Sequence, residues 1–597
     1  MTAIFGLVGP HTADDLHAMG SRLEHRGRQH HFETLNDRLS VGAIGEDPRS
    51  MIYRTGSSVA VASGNIYSIG DDRQQVAAQD NLAERLLQHF DSGTVSALAA
   101  IDGDFAAAIC RLDDSRVTLL RDFFGCMPLF WGALESGGMA FASEYKAICA
   151  LRSFRPVADR SMLQYLQAAK RMPVGRTLLS NVAAARPGVT TIEANRVASY
   201  SNFAPLACDV KIRDEKEAQR VVATEFRNAL QRRSEGFEPI GLSLSGGIDS
   251  IAMAFQLRSL FPEREIHTFT AGHGDDDPEM ATASEVAHEI GSIHHPVPTP
   301  PSLVSTSLEK LVWHMEDPTS RSEALQLLRI GEVAAGYVPC LLSGQGADGL
   351  FAGMPRHRLV GLAGRLPLLR GPLFEIFDLT QIGLQPGSIA GRALAALMYR
   401  GKVPPVPVVI DGGTVQRPVR TPPGPDFLNR VLAAGYQNSA LQDVGKFERP
   451  FAASGVGYTS PCLDVSFARM AFTIDERLKI RKGVEKYIFR TSLASVVPER
   501  FRSIPKHPQR MRYDVEFSDC LDREADILLT PDSVKSRGFF EQQSIDRLRR
   551  RAAGRPYAAE AAMRLWTALA TETWARLFLD NRGLRTPERS QDGDSSA

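Results

Sequence analysis

Ser243-Leu-Ser-Gly-Gly-Ile-Asp-Ser250 is the stretch that decides the fold of the second half of the chain. It follows the apolar residues 240–242 and precedes an apolar-periodic segment at 251–260, so the pattern predicts a strand, a glycine turn and a helix. Two glycines let the backbone approach an anion closely, and the first amides of the helix point toward that anion. Asp249 in such a turn indicates Mg²⁺ between its carboxylate and a phosphate. The stretch therefore predicts a phosphate-binding loop that works with a metal ion.

A second glycine loop, at residues 343–348, follows another predicted strand at 338–342. Strands that alternate with helices predict a parallel sheet, and ligands of such sheets bind beyond the carboxyl ends of the strands. We therefore expect both loops at that edge, with Asp249 and Asp348 as the Mg²⁺ ligands. The expected phosphate-binding residues are Leu242, Ser243, Ser245, Gly246, Gly247, Ile248, Asp249, Ser250, Gly344 and Gly346.

The first loop lacks the lysine of a GxxxxGK[ST] motif, which argues against a Walker-type site. Its SGGxDS spacing resembles the pyrophosphate loop of N-type ATP pyrophosphatases. These proteins cleave ATP between the α- and β-phosphates and adenylate a substrate. The resemblance implies that ATP and Mg²⁺ serve this site.

The composition excludes several classes of function. The 597 residues include 69 Lys and Arg and 69 Asp and Glu, so the formal net charge is zero and no nucleic-acid or membrane partner is expected. The seven cysteines are scattered without a CxxC pair, which indicates a reduced, cytoplasmic protein without a zinc site. The N-terminus is typical of a first strand rather than a signal peptide.

The chain is too long for one core, and its pattern changes near residue 206. Short alternating runs in 1–205 predict a domain of antiparallel sheet. Alternating strands and helices in 206–582 predict the parallel-sheet domain. Within it, a Pro- and Gly-rich stretch at 366–426 is predicted to be an insertion, and the polar tail 583–597 is predicted to be disordered.

Several ordered motifs resemble the asparagine synthetase family, which joins an N-terminal glutaminase domain to an ATP-dependent synthetase domain. The matching segments are Asp102–Phe105, Arg121–Gly125, Phe141–Glu144, Ser343–Asp348, Ser460–Asp464, Lys486–Arg490 and Arg502–Lys506. The resemblance implies an α/β fold with an Ntn-like αββα antiparallel sandwich, followed by an adenine-nucleotide alpha-hydrolase-like doubly wound parallel sheet. It also implies that Lys506 is catalytic and stabilises charge as the amine attacks.

The first domain departs from this family at its glutaminase motifs. The family's nucleophilic cysteine follows the initiator methionine, and here that position is Thr2. The RGPD motif is replaced by Arg26-Gly-Arg-Gln29, and NGEIYN by Ser63-Gly-Asn-Ile-Tyr-Ser68. We therefore predict an inactive glutaminase. The alternative is that Thr2 acts as an N-terminal nucleophile with its own amine as the base.

Other residues leave two interpretations open. Asp464 organises the site or caps a helix that begins at Val465. Glu316-Asp317-Pro318 faces the same cleft or forms a solvated turn. The arginines between 360 and 400 contact an acidic peptide or are scattered surface residues; they are Arg365, Arg370, Arg392 and Arg400.

An inactive glutaminase supplies no ammonia, so another amine must attack the adenylate. Family branches without the cysteine include β-lactam synthetases and lasso-peptide macrolactam synthetases, in which an amine of the same molecule attacks. Gln345 stands where β-lactam synthetases carry tyrosine and asparagine synthetases carry glutamate, and we count it as a catalytic candidate. The predicted function is macrolactam closure, with a precursor peptide as substrate and a leader protease as partner. The alternatives are an asparagine synthetase that uses free ammonia, a β-lactam synthetase and an ATP-binding regulatory protein.

Overall fold

A computed structural model gives the fold of the chain. It describes residues 1–366, 426–504, 511–581 and 583, apart from gaps at 70–73, 76–80, 91–97, 99, 113–115, 170–171, 194, 202, 205, 207, 275–276, 320, 512–513 and 555–558. The predicted insertion lies outside the described residues except at its ends, as does the predicted tail except for Gly583. No helix in the described part of the chain is long and apolar enough to cross a membrane. All seven cysteines are free thiols.

Two antiparallel sheets form the N-terminal half. Their strands are β1 (Ala3–Val8), β2 (Gln29–Asn36), β3 (Leu39–Gly45), β4 (Ile52–Arg54), β5 (Ser58–Ile69), β6 (Gln74–Gln75), β7 (Ile101–Arg111), β8 (Val117–Arg121), β9 (Phe130–Ala133), β10 (Met139–Ala142), β11 (Val182–Ala184), β12 (Gly188–Glu193) and β13 (Arg196–Ser201). The helices are α1 (Ala13–Ser21), α2 (Leu82–Phe90), α3 (Tyr145–Cys149) and α4 (Arg160–Ala169). One sheet has the order β11-β9-β10-β1-β3-β2, and the other has the order β13-β12-β8-β7-β5-β4 with β6 paired to β5.

The two antiparallel sheets pack face to face. Alternate residues of their strands, such as Ile4, Val61 and Phe141, meet in one buried cluster. Leu16 of α1 packs on the outer face of the first sheet, and Leu86 of α2 packs on the outer face of the second. This layering confirms the expected αββα sandwich.

The C-terminal half is built on a five-stranded parallel sheet. Its strands are β14 (Ile240–Ser243), β15 (Ile266–Gly272), β16 (Ile293–Pro298), β17 (Cys340–Leu342) and β18 (Gly457–Thr459), and a separate hairpin joins β19 (Ile480–Arg481) to β20 (Val484–Glu485). The helices are α5 (Glu215–Ser234), α6 (Ile248–Leu260), α7 (Pro278–Glu289), α8 (Leu303–Met315), α9 (Ala324–Ala334), α10 (Ala347–Phe351), α11 (Pro355–Arg365), α12 (Phe427–Ala452), α13 (Val465–Ala471), α14 (Glu476–Lys479), α15 (Tyr487–Ser492), α16 (Glu499–Arg502), α17 (Val515–Leu528), α18 (Pro531–Arg537), α19 (Gln542–Ala553) and α20 (Ala559–Ala575).

The strand order β16-β15-β14-β17-β18 creates a switch point between β14 and β17. The chain leaves β14 toward β15 on one side and returns to β17 on the other. In parallel sheets the crevice beyond the carboxyl ends of two such strands is the usual ligand site. The loop after β14 and the loop after β17 both open into this crevice, as the sequence predicts.

Candidate active site

The glycine loop after β14 forms the first wall of the crevice. α6 begins at Ile248, three residues earlier than the apolar pattern predicts, and Gly247 before it provides no side-chain cap for its amides. The hydroxyl of Ser250 accepts a hydrogen bond from the Ser245 amide at 3.0 Å and donates to the Ser245 carbonyl at 2.6 Å. Ser250 therefore folds the loop, and the uncapped first turn of α6 leaves backbone amides that suit an anion.

Two of the predicted phosphate-binding residues have buried apolar side chains. Leu242 is inaccessible to solvent and belongs to the core beneath the sheet, and Ile248 is 5% exposed. Only their backbone groups can serve a ligand. The same holds for the two glycines of the loop, Gly246 and Gly247, because they have no side chain.

The second glycine loop packs directly against the first. A Cβ atom at Gly344 would lie 2.7 Å from the Cβ of Asp249, so this close approach requires glycine. Gly346 has φ +105°, a left-handed conformation, and a Cβ there would lie 2.6 Å from the Tyr436 hydroxyl. Gly344 thus allows the two loops to meet without a side chain between them, and Gly346 leaves room for the Tyr436 hydroxyl.

Asp249 and Asp348 converge on one cation, the ammonium of Lys486. Its Nζ lies 2.6 Å from Oδ1 of Asp348 and also contacts Oδ2 of Asp249. The lysine side chain is 4% exposed, and the residue has φ +54°. Burial alone would lower the pKa of Lys486, but the two carboxylates outweigh it and raise the pKa. The site therefore holds a charged lysine between two acids.

This pair of carboxylates suits Mg²⁺. Mg²⁺ prefers oxygen ligands and is usually held by one or two carboxylates, with phosphate and water oxygens completing its shell. Within the described ranges, no group of three or more His, Cys, Asp or Glu side chains could hold a metal by itself. Asp249 and Asp348 thus fit a metal that arrives with a phosphate ligand.

Gln345 joins the second loop to two neighbouring elements. Its side-chain amide donates a hydrogen bond to Oδ2 of Asp443 on α12 at 2.9 Å. Its backbone carbonyl accepts a hydrogen bond from the Ser460 hydroxyl at 2.8 Å. A side-chain amide accepts a proton far less readily than a carboxylate does. Gln345 therefore positions the loop, and its catalytic role stays a prediction.

Asp464 caps a helix, as one of the two interpretations predicts. Its Oδ1 accepts from the Phe467 amide at 2.9 Å at the start of α13, and its Oδ2 accepts from Arg232 at 2.7 Å. Burial favours the neutral acid, yet Arg232 and Arg233 lower the pKa of Asp464 overall. Through these two contacts, Asp464 stabilises the segment that follows Ser460.

The turn at Glu316–Pro318 is not the solvated turn that one of the two interpretations predicts. Glu316 ends α8 with φ +58° and is 1% exposed, because its carboxylate accepts from the Lys146 amide at 2.6 Å and its carbonyl accepts from the Tyr145 hydroxyl. Asp317 follows it on the wall of a cavity between the two halves. This turn therefore lies on the cavity between the two halves, and its position in the same cleft as the glycine loops stays a prediction.

Thr2 and Arg26, two of the positions where the chain departs from the family's glutaminase motifs, both have hydrogen-bond partners within the protein. The Thr2 hydroxyl accepts a hydrogen bond from the Gly64 amide at 3.2 Å. Arg26 is fully buried and binds Glu144 from its own half and Glu448 of α12 at 2.6 Å. Arg26 thus links the two halves of the protein, and its guanidinium pairs with both carboxylates.

Lys486 is the site residue that the sequence argument missed. Its motif, Lys486–Arg490, was visible, but only the fold shows that the lysine reaches both Asp249 and Asp348. Lys506, Arg370, Arg392 and Arg400 lie outside the described residues. Their predicted roles therefore stay predictions.

Known proteins share this organisation. Residues 221–576 match the family described as Asparagine synthase, and residues 1–203 match the one described as Glutamine amidotransferase domain. Asparagine synthetase (glutamine-hydrolyzing) 1 of Bacillus subtilis (strain 168) is 24% identical over 500 residues, which cover 77% of each chain. Asparagine synthetase (glutamine-hydrolyzing) of Gallus gallus is 25% identical over 510 residues, covering 80% of this chain and 77% of its own. These matches support an ATP-dependent, amide-forming activity. The match at residues 221–576 spans more than half of the chain, so the chain belongs to the asparagine synthase family.

Proposed function

We propose that the protein is an AMP-forming ligase that activates a carboxylate with ATP and joins it to an amine of the same substrate molecule. The observation that carries this proposal is the convergence of Asp249 and Asp348 on Lys486, beside a glycine loop at the switch point. A carboxylate oxygen attacks the α-phosphorus, pyrophosphate leaves, and an acyl-adenylate forms. The amine then attacks the acyl carbon, the new amide forms, and AMP leaves with the bonding electrons.

The charges of the site suit the first step. Pyrophosphate carries several negative charges, and the uncapped first turn of α6 and the ammonium of Lys486 supply positive charge beside the two glycine loops. Asp249 and Asp348 would hold Mg²⁺, which neutralises charge on the phosphates when it is bound. Lys506 is proposed to stabilise the second step.

The amine source distinguishes this proposal from glutamine-dependent synthesis. Thr2 replaces the cysteine nucleophile, and Arg26 is tied to Glu144 and Glu448. A peptide whose acidic side chain is captured by its own N-terminal amine needs no ammonia. We therefore propose macrolactam closure of a lasso type, with a precursor peptide as substrate and a leader protease as partner.

A second candidate is an asparagine synthetase that uses free ammonia, and the names of the similar proteins favour it. The test supplies purified protein with Mg-ATP and either a linear precursor peptide or aspartate plus ammonia, and measures pyrophosphate release and product mass. We expect release with the peptide and loss of one water from its mass. Asparagine formed from aspartate and ammonia at a comparable rate would reject the macrolactam proposal.

A further inference from the structure

A cavity of about 180 Å³ lies between the two halves of the protein. The N-terminal half contributes Phe130, Leu166 and Leu178 to its wall, and the C-terminal half contributes Met315 and Leu441. An apolar cavity of roughly 150 Å³ in another protein accepts a benzene ring. The cavity can therefore hold a group of the size of one large apolar side chain.

Two acidic residues at one end of this cavity have unsatisfied oxygens. Oε2 of Glu316 and Oδ1 of Asp317 are both buried, and neither has a hydrogen-bond partner in the described structure. The nearest cation is Arg449, whose Nη1 lies 3.6 Å from Oε2 of Glu316. Buried acceptors without donors are costly, so this end of the cavity is chemically incomplete.

The positive groups Arg121, Lys446 and Arg449 on the wall already have partners. Arg121 donates to three backbone carbonyls at 2.7–2.8 Å, and Lys446 pairs with Asp443 at 2.8 Å. Arg449 donates to the Met315 carbonyl. Arg449 and Lys146 form ion pairs with Glu316 at 3.6 and 3.9 Å, but neither gives a hydrogen bond to the two unsatisfied oxygens, so a ligand that satisfies them must bring its own donors.

The cavity adjoins the nucleotide crevice through α12. Asp443 on this helix binds Gln345 of the second glycine loop, and Lys446, one turn later, lines the cavity. Three residues advance a helix by roughly 4.5 Å along its axis. A substrate could thus reach from the cavity to the crevice around a single helix.

We propose that this cavity binds the amine end of the substrate, as a primary ammonium held by Glu316 and Asp317 with its neighbouring apolar side chain against Phe130, Leu166 and Leu441. An ammonium has three donors, which suits two unsatisfied carboxylate oxygens. This inference rests on the proposed function, because that function requires an amine from the substrate. It also gives the inactive N-terminal domain a part in the site, since that domain supplies one wall of the cavity.

The inference predicts a pH dependence. Burial raises the pKa of Asp317 to about 7, although Arg449 and Lys446 of α12 oppose this, while the neighbouring Glu316 adds to it. An ammonium prefers the ionised acid, so its affinity should rise as the pH rises through about 7. An uncharged ligand of the same shape should not show this rise.

The test uses benzylamine and its neutral analogue benzyl alcohol as probes, with binding to the full chain measured by calorimetry on both sides of neutral pH. We expect benzylamine to bind better than benzyl alcohol, and Asp317→Asn to weaken it by about tenfold or more, as for loss of one charge-assisted hydrogen bond. Glu323→Gln is the matched control, because Glu323 does not line the cavity. Equal binding of both probes, no benzylamine binding, or an unchanged affinity in Asp317→Asn would overturn the inference.

A second variant tests the cavity itself and leaves Glu316 and Asp317 unchanged. Gly445 lines the cavity, and a Cβ there would meet no atom within 4 Å, so the side chain that Gly445→Leu adds begins in open space. We expect it to abolish benzylamine binding while ATP–pyrophosphate exchange persists. Exchange without benzylamine binding in the wild type would overturn only this inference. Benzylamine binding without exchange would overturn the proposed function instead.

Discussion

Replacing Lys486 by methionine tests the electrostatics of the site most sharply. Methionine keeps much of the side-chain length but leaves two carboxylates facing each other without their shared ammonium. Two carboxylate oxygens that accept hydrogen bonds from the same ammonium nitrogen lie roughly 5 Å apart. At an effective dielectric constant of about 20, two charges at that distance repel by about 3 kcal/mol. We expect Lys486→Met to lower the free energy of unfolding by that amount in metal-free buffer.

Mg²⁺ should restore part of this loss, because a metal ion can replace the missing charge between the two acids. The measurement is urea unfolding followed by tryptophan fluorescence, with and without Mg²⁺. Lys482→Met is the control, since Lys482 is an exposed lysine in the turn between β19 and β20. Equal stability of Lys486→Met and the control, with no larger response to Mg²⁺, would refute this reasoning.

Three further predictions concern other residues. Lys506→Ala should keep ATP binding but slow amide formation by ~10²-fold or more, as for loss of an oxyanion donor; unchanged turnover in a quenched-flow assay removes Lys506 from the mechanism. Arg26→Met should lower the free energy of unfolding by about 3–5 kcal/mol, since two buried carboxylates lose their partner; thermal unfolding at the wild-type temperature contradicts this. Gln345→Leu should cost about 1 kcal/mol of stability through the lost bond to Asp443, and a larger change in the pyrophosphate-exchange rate than in stability would assign it a role beyond positioning.

Local patterns made the fold and the two glycine loops predictable. The first strand that the N-terminal pattern predicts is Ala3–Val8, and the strand, glycine turn and helix predicted around residues 240–260 are Ile240–Ser243 and Ile248–Leu260 with the loop between them. Strands, turns and amphipathic helices depend on neighbours along the chain, so their signal is present in the sequence. The position of Asp249 and Asp348 at one sheet edge follows from the same periodicity.

Contacts between distant segments were not predictable in this way. Lys486 reaches Asp249 across 237 positions of sequence, and Glu316 is buried by Tyr145 and Lys146 of the other half. Nothing local in the sequence around Glu316 distinguishes it from a solvated turn. The cavity beside it exists only because the two halves pack together, so no single segment encodes it.

The central claim is that the crevice between β14 and β17 binds ATP and releases pyrophosphate. Exchange of labelled pyrophosphate into ATP, measured in the presence of Mg²⁺ and the carboxylate substrate, tests this directly. The wild type should show exchange, and Asp249→Asn and Asp348→Asn should each reduce it by ~10²-fold or more, as for loss of a preorganised charge. Undiminished exchange in both variants would contradict the claim.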